Sequence, residues 1–145
     1  MTADWRATLR AHLLDARPAQ VCALDAAALA FARDVQPELR VSEPGGVPEA
    51  PCALALGLDV LRGLDARAAE ALIHRTRLYV APRLLLVADA DCALDEAGFL
   101  ALGFVLIARD PASRTRLHAF DLDTYKPVPD WLNARFWAHP ERWEP

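Results

Sequence analysis

Three carboxylates close apolar runs in this chain: Asp25 ends VCALD, Glu43 ends LRVSE and Asp59 ends ALALGLD. If those runs are strands of an open α/β sheet, acids at their carboxyl ends stand where such sheets bind ligands. Each acid also has a reading that needs no ligand. Asp25 can cap the following helix, Glu43 can be a solvated strand end, and Asp59 can tie the loop before Asp65. A second acidic group, Asp89, Asp91, Asp95 and Glu96, follows the run LLLVA and carries enough charge to attract a divalent cation. Its spacing lacks the D-x-[DN]-x-[DN]-G form of an EF-hand loop, so it reads as a solvated acidic loop.

Other chemistries are short of residues. Lys126 is the single lysine among 16 basic residues and lies in a proline-rich stretch, which leaves P-loop and Schiff-base chemistry almost no candidate. Ser42 and Ser113 stand outside any G-x-S-x-G elbow. His12, His74, His118 and His139 show no H-x-x-x-H or H-E-x-x-H spacing. Cys22, Cys52 and Cys92 are odd in number and form no C-x-x-C pair, so they read as reduced, mostly buried thiols.

The elements that would position the carboxylates can be traced in order. Residues 2–16 predict an amphipathic helix with Trp5, Leu9, His12, Leu13 and Ala16 on one face, stopped by Pro18. Residues 21–25, a helix through Ala28, Phe31, Ala32 and Val35, and residues 39–43 predict a βαβ unit. The 39–43 run alternates apolar and polar positions, as an edge or next-to-edge strand does. PGGVPEAP, residues 44–51, holds three prolines and two glycines, so no helix forms there. Extended, it spans roughly 25 Å, enough to return from one end of the sheet to the other.

The centre of the chain is a second strand–helix–strand unit. Residues 53–58 and 84–88 are too continuously apolar to alternate, which suits strands covered on both faces. The helix between them starts at Asp65 and turns Ala69, Leu72, Ile73, Thr76 and Val80 inward, with Glu70 and His74 outward. A short helix at 96–102 leads to residues 104–109 and 115–120, joined by DPASR, which predict an antiparallel hairpin at one edge. The whole predicts one three-layer α/β domain over 1–145: an N-terminal helix (1–17), a core (18–122) and a Trp/Pro-rich tail (123–145).

A hydrophobic share of 54% argues against disorder. No apolar run reaches the ~18 residues of a membrane span, and MTADWRATLR has no apolar signal-peptide core, so a cytoplasmic location is expected. A net charge of −4 argues against nucleic-acid and membrane surfaces as partners.

The order of elements from 21 to 122 resembles a class I S-adenosylmethionine-dependent methyltransferase, a Rossmann-like fold. Residues 53–89, FLALGFVLIAR (99–109) with its Gly103-Phe104, and the closing hairpin carry the likeness. The resemblance implies S-adenosylmethionine as cofactor, with Asp25, Glu43, Leu58 and Asp59 as its contacts and Glu43 as the acid for the ribose hydroxyls. An alternative alignment makes 21–25 the family's second strand and Asp25 the ribose acid, and so removes the central first strand. The chain departs from the family at the cofactor loop: G-x-G-x-G is replaced by Ala26-Ala27-Ala28, and no glycine precedes Gly45. The proline-rich linker replaces the family's third strand. These departures favour a non-catalytic binding or assembly module over a shortened enzyme, and predict that the 25–28 loop is filled by its own side chains with no cofactor-sized cavity.

The tail segment YKPVPDWLNARFWAHPERW resembles the ending of a small, uncharacterised proteobacterial family of methyltransferase-like proteins. Trp131, Trp137 and Trp143 each offer about 150–250 Å² to bury, which at about 25 cal/mol per Å² is several kcal/mol apiece. They are expected to be ordered, either against their own domain or, with Arg135 and Arg142, as anchors for a homodimer or another protein. Deleting residues 130–145 separates the two. Loss of most of the melting temperature in a monomeric protein marks the first, and a dimer turning into a folded monomer marks the second. No change in either quantity would defeat both.

Overall fold

Every described helix starts at an aspartate. Asp4, Asp25, Asp65 and Asp95 accept hydrogen bonds from the N–H groups of Arg6, Ala28, Ala68 and Gly98 at 3.0, 2.7, 2.7 and 2.7 Å. Each thereby satisfies a donor that the first helical turn leaves open. The computed structural model describes residues 4–42 and 52–122, so Glu43, the proline-rich linker and the tryptophan tail lie outside the described residues. The element order is α1 (Trp5–Ala16), β1 (Gln20–Ala23), α2 (Ala26–Val35), β2 (Arg40–Ser42), β3 (Leu54–Gly57), α3 (Ala66–Tyr79), β4 (Arg83–Ala88), α4 (Glu96–Ala101), β5 (Val105–Asp110) and β6 (Thr115–Asp121).

The strands form one sheet in the order β2-β1-β3-β4-β6-β5. β1 pairs in parallel with both β2 and β3, and β3 with β4. β6 is antiparallel to β4 and to β5, with a register shift between Leu106 and Ala108. The hairpin therefore joins the sheet through its second strand and leaves β5 outermost. β1 has a hydrogen-bonded neighbour on each side, so the sheet holds no gap of the kind that removing a central strand would leave.

The alternation of side chains across the sheet gives two cores. Val21, Ala23, Leu54, Leu56, Leu85, Val87 and Leu117 face α1 and α2 and meet Leu9, Leu13, Ala28 and Ala32. Cys22, Ala55, Leu84, Leu86, Ala88 and Phe120 face α3 and α4 and meet Ala69, Ile73 and Phe99. This is a three-layer α/β/α arrangement of the Rossmann-like type. Leu9 and Leu13 are the fully buried residues of α1, and at roughly 1.5–3 kcal/mol each they hold that helix across the sheet. His12, expected on the buried face, is exposed. Thr76 is buried as expected, its hydroxyl donating to the Leu72 carbonyl at 2.7 Å.

Candidate functional site at the carboxyl ends of the strands

From β1 the chain passes to β2 on one side, and from β2 it crosses back to β3 on the other. The crevice between the ends of β1 and β3 is the switch point at which open α/β sheets take ligands. Here a side chain of the protein fills it. One carboxylate oxygen of Asp25 caps α2 through Ala28 N–H, and the other accepts from the N–H groups of Leu58, Asp59 and Val60 at 2.8, 2.8 and 2.9 Å. Four donors that could have held an anionic ligand thus face an internal carboxylate.

The backbone around the crevice is shaped for closeness. A Cβ on Gly57 would lie 2.7 Å from Val60 Cγ1 and 2.9 Å from Leu86 Cδ2, so the loop after β3 packs against the sheet without room for a methyl. Gly63, with φ of 78°, lets the chain turn toward Asp65, the cap of α3. Ala28 is buried in the core that faces α1 and α2.

Above the crevice lies an open cleft of about 420 Å³. Its walls include Trp5 and Arg6 of α1, Leu58, Asp59 and Arg62 after β3, and Asp89 after β4. The Arg62 guanidinium bridges Asp59 at 3.3 Å and Asp89 at 3.4 Å. It is 68% exposed, so this bridge shapes the mouth more than it adds stability. Arg6 lies over the Trp5 ring at 4.6 Å. The expectation of a loop filled by its own side chains and lacking a cofactor-sized cavity is half met. Asp25 does fill the loop, but a cleft within the ~300–1,000 Å³ of ligand sites opens beside Ala27, built by α1, the turns after β3 and β4 and the β5–β6 turn.

Leu58 and Asp59 line this cleft, while Asp25 stands below it with its oxygens turned to the backbone. At the loop where the resembled family holds S-adenosylmethionine, the backbone N–H groups of Ala28, Leu58, Asp59 and Val60 are engaged by Asp25. Trp5 and Arg6 are wall residues that the sequence pattern does not reveal, since Trp5 reads only as part of an apolar helix face.

The acidic loop is engaged internally. Asp89 accepts from Asp91 N–H at 3.0 Å, Asp95 caps α4, and Glu96 pairs with Arg109. In the β5–β6 turn, Asp110 accepts from the Ser113 hydroxyl and the Ala112 N–H, which hold its carboxyl below the usual carboxylate range. His118 is the one buried histidine among the described residues, stacked on Phe99 with ring centres 3.9 Å apart. Burial pushes its pKa from 6.5 to about 4, with the Arg116 charge acting the same way and Glu96 opposing. Burial, and then the neighbouring Cys52 thiol, push Cys22 up to about 11, the state of an inert core thiol.

Solved structures similar to this chain include methyltransferases. An O-methyltransferase family protein from Burkholderia thailandensis matches with a TM-score of 0.56 at 14% identity, over 81% of this chain and 55% of that one. The chain therefore spans about half the length of that relative. A TehB-like SAM-dependent methyltransferase from Corynebacterium glutamicum matches at 0.44 and 18% identity, over 77% and 86%. SAM-bound CalS10, an amino pentose methyltransferase from Micromonospora echinaspora, matches at 0.47 and 13%, over 81% and 90%. No curated protein sequence matches the chain. The fold is thus that of class I methyltransferases, and the family profile that matches covers residues 4–145. The chain belongs to DUF6231, a family of unknown function.

Proposed function

We propose that the protein is a non-catalytic binding or assembly module built on a methyltransferase-like fold. The observation that carries this reading is the Asp25 carboxylate, which accepts four backbone N–H groups at the switch point. A ligand seeking those donors must displace a charge-assisted network, at a cost of about 1.5–3 kcal/mol per bond. The cleft above it keeps a wall of one indole, two guanidiniums and three carboxylates (Asp59, Asp89 and Asp110), which suits reversible binding of a small polar molecule.

A second reading, a shortened S-adenosylmethionine-dependent methyltransferase, draws support from the cleft's volume and from Leu58 and Asp59 at its wall. Asp25 and Glu43 would complete its contacts. Thermal shift and isothermal titration with S-adenosylmethionine and S-adenosylhomocysteine decide between the two. The binding-module reading expects no saturable binding. The enzyme reading expects stabilisation of about 2.7 kcal/mol at a hundredfold excess over the dissociation constant. Micromolar affinity, weakened by Glu43→Ala or Asp59→Ala, would overturn the first reading.

A further inference from the structure

A second cleft, of about 350 Å³, opens on the other side of the β5–β6 turn and is absorbed by neither reading above. The hairpin contributes three guanidiniums to its wall, Arg109, Arg114 and Arg116, and the acidic loop contributes Cys92, Asp95 and Glu96. Formal charges on the wall balance, but their engagement differs. Asp95 is committed to capping α4, Asp110 to the turn N–H and hydroxyl groups, and Glu96 to Arg109. Arg116 gives one amine to the Leu94 carbonyl at 3.0 Å and keeps other donors, and Arg114 has no partner among the described residues. Arg114 is also held at φ of 60°, a left-handed conformation that favours glycine or asparagine, so the turn keeps a costly residue at this place. Each of the three carboxylates thus already has a partner within the protein, while Arg114 and Arg116 keep planar guanidinium donors at the cleft wall.

We propose that this cleft binds a small, multiply charged oxyanion, a phosphate ester or a polycarboxylate, gripped by Arg114 and Arg116. Guanidiniums match such oxygens in pairs, which a single ammonium cannot do. The half-buried Cys92 thiol, raised by burial, stays protonated at the cleft wall and adds no competing negative charge.

Isothermal titration of the whole chain with inorganic pyrophosphate and with citrate tests this, and distinguishes the two sources of the same chemistry. At least one should bind saturably, more weakly as salt rises. Arg114→Gly should reduce the affinity at least about tenfold while leaving the melting temperature equal or higher, because glycine relieves the left-handed strain. Arg114→Lys, which keeps the charge without the fork, should fall between. Arg67→Ala, on the exposed face of α3 and outside the walls of both clefts, should change nothing. The proposal is overturned if neither anion binds in the millimolar range, if Arg114→Gly binds as the parent does, or if Arg67→Ala abolishes binding instead.

Discussion

Asp25→Asn is expected to destabilise the protein by about 3 kcal/mol, nearly as much as Asp25→Ala. The reason is the count of donors around one carboxylate, four N–H groups on two oxygens. Alanine loses the cap, worth about 1 kcal/mol, and leaves the N–H groups of residues 58–60 without a charged acceptor, at about 1–3 kcal/mol for each one that water does not reach. Asparagine keeps one oxygen but turns an NH₂ group either toward Ala28 N–H or toward the three loop N–H groups. Donor facing donor is no better than a void. Urea unfolding of both variants measures this, and an asparagine variant within about 1 kcal/mol of the parent would show that water, and not Asp25, satisfies the loop.

The second large effect is in acid. His118 takes up a proton near pH 6.5 when unfolded but only near pH 4 when folded. Between those values the unfolded chain binds more protons, so stability falls as pH drops through this window and levels off below it. The whole loss is about 3 kcal/mol, the free energy of a shift of this size. The Nε2 atom has no hydrogen-bond partner in its pocket against Phe99, so the neutral ring gains little from its polarity there. His118→Leu should therefore fold at neutral pH with similar stability and lose the slope between pH 6.5 and 4. Unfolding free energies at pH 7 and pH 5 test it, and an unchanged slope in the variant would assign the acid sensitivity to other groups.

Much of the fold is legible in the sequence because buried strands and capped helices write local signals. The runs at 53–58 and 84–88 are apolar throughout, since each lies between two helical layers, and they become β3 and β4 with ends shifted by one residue. Asp65 precedes the periodic stripe of α3 and does cap it. The candidate site is less legible. Asp25 announces itself as a helix cap, but its bonds to Leu58, Asp59 and Val60 reach 33 to 35 residues along the chain, and no local spacing encodes them. His118 reads as one member of a strand, and only the register against Leu86 and the stack on Phe99 show that it is a buried base. Trp5 joins the strand-end cleft because α1 crosses the sheet, a tertiary placement that amphipathic periodicity leaves open.

The register shift in β5 bears on how molecules of this protein meet one another. A sheet margin offers free N–H and C=O groups to any strand that arrives, and long flat margins template fibres. Here β5 is outermost and carries Val105, 62% exposed, on a strand whose ladder slips between Leu106 and Ala108. A bulge twists such a margin and interrupts the row of groups that an incoming strand would have to match. Among the described residues the opposite margin is β2, Arg40–Ser42, which pairs with β1 alone. Among the described residues, the irregularity that looks like a flaw in the hairpin thus makes this margin a poorer template for a second copy than a regular strand would be.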